Sequence, residues 1–224
     1  MKVYFISGVA ADRTIFRHIK VPSSCTAVYL DWIPPLPDES LEHYALRLAE
    51  KIDKSKPFSL VGLSLGGMMA VEIGKRFPPV HLILLSSISC VQHLPVYYRW
   101  ARALSLHKAI PTPLIQYASL LKRFFTNESP ADKKLLRTMI RRSDARFIKW
   151  SLHAVLNWQN REVPENLIHI HGTNDEILPV RFTKPTHLVP NGRHLMVLNE
   201  AAAINRLLHE LLTVPKALPL ANAS

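Results

Sequence analysis

Short apolar runs alternating with helical periodicity constrain this chain more than any other feature. Lys2 to Ile6, Thr26 to Leu30, Phe58 to Val61 and His81 to Leu85 are of strand length. Phe58 to Val61 is continuous, as expected of a central parallel strand covered on both sides. Between these runs, Leu41, Tyr44, Ala45, Leu48 and Ile52 recur at helical spacing behind Asp38 and Glu39. A second helical run follows Ser64 and continues to Phe77, where Pro78-Pro79 stops it. Asp12 is placed to cap a helical start that reaches Phe16. Strand, helix, strand, helix implies a parallel sheet with helices on both faces.

The alternation ceases at Val91. From there to about Glu162 the sequence reads as helices alone: Tyr97 to Leu106, Pro113 to Phe125, Pro130 to Arg142 and Asp144 to Trp158. Phe124, Phe125 and Met139 belong to this segment, as do Trp100, Trp150 and Trp158, the candidates for lining a substrate pocket. Aromatics in such a position also serve as cap core. Strands resume at Leu167 to His171 and Thr186 to Val189; Ala201 to Leu212 forms a last helix, and the tail from Pro215 should fray. The expected fold is therefore α/β, a mostly parallel doubly wound sheet of about six strands. Residues 1–90 and 163–224 form the core, and 91–162 form an inserted helical cap.

Several function classes recede on composition. Cys25 and Cys90 match no zinc or redox spacing, which points to reduced, incidental thiols. Eleven histidines are present, none in a His-Glu-x-x-His pattern or beside clustered carboxylates, so neither a metal nor another cofactor is expected. His169 and His171 alternate on one strand face, a spacing commoner in structural pairs than in ligand sets. Met1-Lys2 leads at once into a strand, and no apolar stretch approaches the ~18 residues of a membrane span. A soluble cytoplasmic protein is the expectation. Of the net charge of +11, most sits between Arg99 and Arg161, where thirteen Lys/Arg face three acids. No nucleic-acid motif accompanies it, so a solvated basic face is the plain reading, with weak attraction to anionic ligands or a membrane surface as the functional one.

The chemistry concentrates at Gly62-Leu63-Ser64-Leu65-Gly66-Gly67, between an apolar run and a helix. A serine at a tight strand-to-helix turn is lifted clear of the backbone, and small neighbours let the flanking elements approach. His171-Gly172-Thr173-Asn174-Asp175 puts a carboxylate after one later strand, and Asn191-Gly192-Arg193-His194 puts a histidine after the next. Strand carboxyl ends share one edge of a parallel sheet, so the three converge there. His194 can take the Ser64 proton, and Asp175 can hold its tautomer. Backbone N–H groups of Val9 and Leu65 are the candidate oxyanion donors. Rival acids are Glu176 and Asp31, and His187 is a rival base.

These three motifs resemble the alpha/beta-hydrolase family over Val3 to about Leu212, nearest to small bacterial esterase-like members with a helical cap. The resemblance implies hydrolysis of a small-molecule ester or thioester through an acyl-serine, with Ser64 as nucleophile, Asp175 as acid, His194 as base, and Val9 and Leu65 as oxyanion donors. Carbon–carbon cleavage or elimination with the same triad is the alternative, as is a ligand-binding member of negligible turnover. The chain departs from the family at Ser7-Gly8, where His-Gly is usual, and by lacking the family's first two strands. Only about a dozen residues separate Asp175 from the next strand, which leaves room for a turn or short helix.

Overall fold

The computed structural model describes residues 1–103 and 129–213. The helix expected over Pro113 to Phe125, with Phe124 and Phe125, lies outside these residues, as do the last part of the helix expected to reach Leu106 and the tail from Pro215. Six strands form the sheet: β1 (Lys2–Ile6), β2 (Thr26–Leu30), β3 (Phe58–Leu63), β4 (Leu82–Leu85), β5 (Leu167–Gly172) and β6 (His187–Val189). Their order is β2-β1-β3-β4-β5-β6, and every neighbouring pair is parallel. Strand order reverses at β1, so the chain leaves β1 and β3 in opposite directions. A crevice opens where their carboxyl ends diverge.

Among the described residues the helices are α1 (Leu41–Leu48), α2 (Leu65–Arg76), α3 (Val96–Ala103), α4 (Pro130–Arg142), α5 (Ala145–Asn157), α6 (Met196–Asn199) and α7 (Ala201–Thr213). Side chains alternate across the strands, as the period of two demands. Tyr4, Ile6, Phe58, Leu60, Leu82 and Leu84 face α1, α2 and α5 in one apolar cluster. Val3, Phe5, Val61, Leu63, Ile83 and Leu85 join Ile204, Leu208 and Leu212 of α7 in a second cluster on the opposite face. Both faces are covered, which is why these strands read as apolar on both sides.

Local signals act where the sequence places them. Asp12 accepts a hydrogen bond from Thr14 N–H at the start of a 3-10 turn over Arg13–Phe16, Ser40 caps α1, Ser129 caps α4 and Asp144 caps α5. The short crossover after Asp175 holds one 3-10 turn, Val180–Phe182.

The helical insertion between β4 and β5 docks through polar anchors as well as apolar ones. Trp150 Nε1–H donates to the Glu39 carbonyl at 2.9 Å, and its ring lies 4.3 Å from Tyr44. Trp158 Nε1–H donates to Glu72 Oε1 at 2.6 Å. On the other side Arg17 reaches Asp132 of α4 at 2.6 Å. Trp150 and Trp158 are thus enclosed in the core beside α1 and α2, whereas Trp100 stands 70% exposed. Among the described residues no helix is long and apolar enough to cross a membrane.

Candidate active site

Ser64 links the end of β3 to the start of α2 with φ 53° and ψ −118°. That conformation is unfavourable for a residue with a Cβ, costing about 1–3 kcal/mol. Its surroundings hold it. Ser64 N–H donates to the Leu85 carbonyl at 3.0 Å, while Gly67 N–H and the Ser87 hydroxyl donate to the Ser64 carbonyl at 2.9 and 2.6 Å. Gly62 and Gly66 are required by close approach: a Cβ on Gly62 would lie 2.3 Å from Gly66 O, and one on Gly66 would lie 2.2 Å from Ile6 O.

Asp175 and His194 arrive on two stitched loops. Asn174 N–H donates to Gly192 O at 2.9 Å, Thr173 N–H to Val189 O at 3.1 Å, and Asn191 N–H to Thr173 Oγ1 at 2.8 Å. Gly172 and Gly192 permit the contact, since a Cβ on Gly172 would fall 2.1 Å from Gly192 O. The result is one hydrogen-bonded line. His194 Nδ1 lies 2.9 Å from Asp175 Oδ2 and 3.1 Å from Oδ1, and His194 Nε2 lies 2.9 Å from Ser64 Oγ.

Burial alone would raise the Asp175 carboxyl. The facing His194, hydrogen bonds from His171 and His194, and the Leu178 N–H outweigh it and hold the group well below the ordinary carboxylate range. Ile177 and Leu178 N–H donate to Oδ1 at 2.9 and 2.8 Å. An ionised Asp175 places the proton of His194 on Nδ1, which leaves Nε2 to accept from the Ser64 hydroxyl.

The loop after β1 runs directly over Ser64, because a Cβ on Gly8 would sit 3.4 Å from Ser64 Cβ and 3.9 Å from its Oγ. Among the described residues, neither Val9 N–H nor Leu65 N–H has a hydrogen-bond acceptor. Leu65 also opens α2, whose dipole favours negative charge at this point. Ser7 Oγ and Trp32 Nε1 both donate to the Ala11 carbonyl, at 2.8 and 3.0 Å, and so hold the loop where the family's usual histidine is replaced. Trp32 also walls a cavity of about 400 Å³ between Ala10, Ile33, Met139 and Phe147.

The rivals lie elsewhere. Glu176 pairs with Arg193, Asp31 with Arg13, and His187 contacts the Thr186 hydroxyl from within β6. Two residues beside the site were not read as part of it from sequence. Trp32 carried no signal beyond its place after β2. His171, read as structural, reaches Asp175 Oδ2 at 3.3 Å; its position four residues before the carboxylate was the available hint.

No curated protein matches the chain in sequence. Solved structures do resemble it in fold. An esterase from Exiguobacterium antarcticum aligns with a TM-score of 0.75 at 16% identity, covering 93% of this chain and 90% of that one. A malate-bound thermophilic esterase from Thermogutta terrifontis gives 0.71 at 17%, covering 95% and 89%. MenH from S. aureus gives 0.71 at 16%, covering 95% and 93%. The alpha/beta hydrolase family model matches residues 3–207. With nearly the whole chain matched, the sheet order of that fold, and a serine turn facing histidine and aspartate, the protein belongs to the alpha/beta hydrolase family.

Proposed function

We propose that this protein is a serine hydrolase that cleaves a small carboxylic ester or thioester through an acyl-serine intermediate. Membership of a hydrolase family supports hydrolytic activity, and esterases are among the similar folds. The observation that carries the reading is the unbroken line from Ser64 Oγ through His194 to Asp175 at 2.9 Å per step.

In this reading His194 Nε2 takes the Ser64 proton as Oγ attacks the carbonyl carbon. The negative charge that develops on the carbonyl oxygen is met by Val9 and Leu65 N–H, an interaction whose loss typically costs about 3 kcal/mol of transition-state stabilisation per donor. As the tetrahedral intermediate collapses, the bond to the alcohol or thiol breaks, and His194 Nε2–H protonates the leaving group. Water then attacks the acyl-serine with His194 again as base, releasing the carboxylic acid and restoring Ser64. Throughout, Asp175 stays ionised and offsets the imidazolium charge.

The test is turnover of short and medium acyl p-nitrophenyl esters by wild type and Ser64→Ala. Ser64→Ala should lose about 10⁴-fold or more in kcat while remaining folded. Equal rates in the two proteins would remove Ser64 as nucleophile. Turnover confined to a diketone-type substrate, with no ester cleaved, would move the reading to carbon–carbon cleavage.

A further inference from the structure

Behind Asp175, away from Ser64, two more histidines extend the line of contacts. His171 and His169 are both fully buried on β5. His171 Nε2 lies 2.7 Å from the Leu178 carbonyl and 3.3 Å from Asp175 Oδ2, and His171 Nδ1 lies 2.9 Å from His169 Nε2.

The chemistry of these partners fixes where the protons sit. A carbonyl and a carboxylate oxygen both accept, so His171 Nε2 must carry hydrogen; the opposite tautomer would set a lone pair against two acceptors. His171 Nδ1 then accepts, and His169 Nε2–H is its donor. Among the described residues, His169 Nδ1 is buried without a hydrogen-bond partner. Burial first, then the facing His171 and His93, push the His169 imidazole down to about 3 against the opposing pull of the Ser87 backbone and Asp175, so it stays neutral.

The two oxygens of Asp175 are held differently. Oδ1 receives two backbone N–H groups and lies 3.1 Å from His194 Nδ1, while Oδ2 faces His194 Nδ1 at 2.9 Å and, among the described residues, only His171 Nε2 besides, at 3.3 Å. We propose that His171 is a positioning residue. Its Nε2–H, anchored on the Leu178 carbonyl, fixes Oδ2 of Asp175 against His194 Nδ1, and His169 keeps His171 in the tautomer that allows this. The proposal rests on the reading of Ser64, His194 and Asp175 as catalytic. Without His171, Oδ2 faces His194 alone, and the carboxylate, anchored then only through Oδ1, is held less firmly in line with Nδ1 as the imidazolium forms.

The experiment compares His171→Leu, which deletes the donor, with His171→Gln, which keeps an N–H of similar reach. It reads kcat and KM on a p-nitrophenyl ester, the labelling rate with a fluorophosphonate, and the low-field proton resonance of the His194–Asp175 hydrogen bond. His171→Leu should lower kcat and labelling about tenfold to a hundredfold, the worth of one hydrogen bond to a charged group, with KM within about twofold. His171→Gln should recover most of the rate and keep the resonance that His171→Leu loses. A folded His171→Leu with wild-type rate and resonance overturns the proposal; so does a folded His171→Gln as impaired as His171→Leu.

If wild type is not labelled at all, the reading of Ser64 falls while the resonance still judges His171: loss in Leu and retention in Gln support it, and no change overturns it. Should His171→Leu not fold, His169→Phe tests the line one step back. A loss of about three- to tenfold with a broadened resonance is expected there, and unchanged behaviour overturns the proposal.

Discussion

At the scale of single residues, the two glycines nearest Ser64 that differ most in their surroundings separate stability from activity. Gly66 faces backbone, with Ile6 O 2.2 Å from where a Cβ would stand, so neither side can yield. Gly66→Ala should destabilise the fold by about 3 kcal/mol or more, measured by chemical denaturation. Gly8 faces the Ser64 side chain at ordinary contact distance, 3.4 Å. Gly8→Ala should therefore change stability by less than about 1 kcal/mol yet cut esterase turnover severely, since its methyl occupies space beside Oγ. Ser7 and Trp32 share one acceptor, the Ala11 carbonyl. Trp32→Phe and Ser7→Ala should each lower kcat modestly, by roughly 1 kcal/mol at most, and the double variant should lose more than the sum because the loop then has neither brace. Kinetics of the three variants decides it.

Elements were legible wherever a local signal marked them. Pro78-Pro79 ends α2 as read, and the capping residues Asp12 and Asp144 act as their positions suggest. The extension of β3 to Leu63 was not visible, because the pairing of Leu63 with Leu85 is a property of the neighbouring strand. The described helices of the insertion, α3, α4 and α5, were visible from periodicity, but their docking was not. Trp150 and Trp158 are large aromatics in a helical insertion, a description that fits pocket lining as well as anchoring. Only tertiary structure supplies the Glu39 carbonyl and the Glu72 carboxylate that take up their indole N–H groups. Trp158→Phe leaves buried Glu72 with Lys75 as its remaining partner among the described residues. It should cost about 1–3 kcal/mol of stability by thermal or chemical unfolding.

For the molecule as a whole, acid should be the weak side of its stability. His169 is held neutral in the fold, down to about 3, while in the unfolded chain it protonates near 6.5. Its contribution is fully present above that value and is lost progressively as pH falls from about 6.5 toward 3, amounting to about 2 kcal/mol at pH 5. Asp175, lowered in the fold, adds a contribution that is present above the ordinary carboxylate value of about 3.9 and lost as pH falls below it. His169→Leu should flatten the stability curve between pH 7 and 5, read by denaturant midpoints across that range. The concentration of thirteen Lys/Arg against three acids between Arg99 and Arg161 makes a second expectation. The kcat/KM for an anionic ester should fall as salt rises from about 0.02 to 0.2 M while that for a neutral ester does not. The sequence by itself determined the parallel sheet and the three motifs at its edge, because periodicity, turn residues and chain order are local or ordinal properties. What the tertiary structure decided was contact between residues remote in the chain: the His194–Asp175 pairing across two stitched loops, the Ala11 brace and the His171–His169 line behind the carboxylate. Those depend on which backbones approach within a few ångströms, and spacing along a chain does not specify that distance.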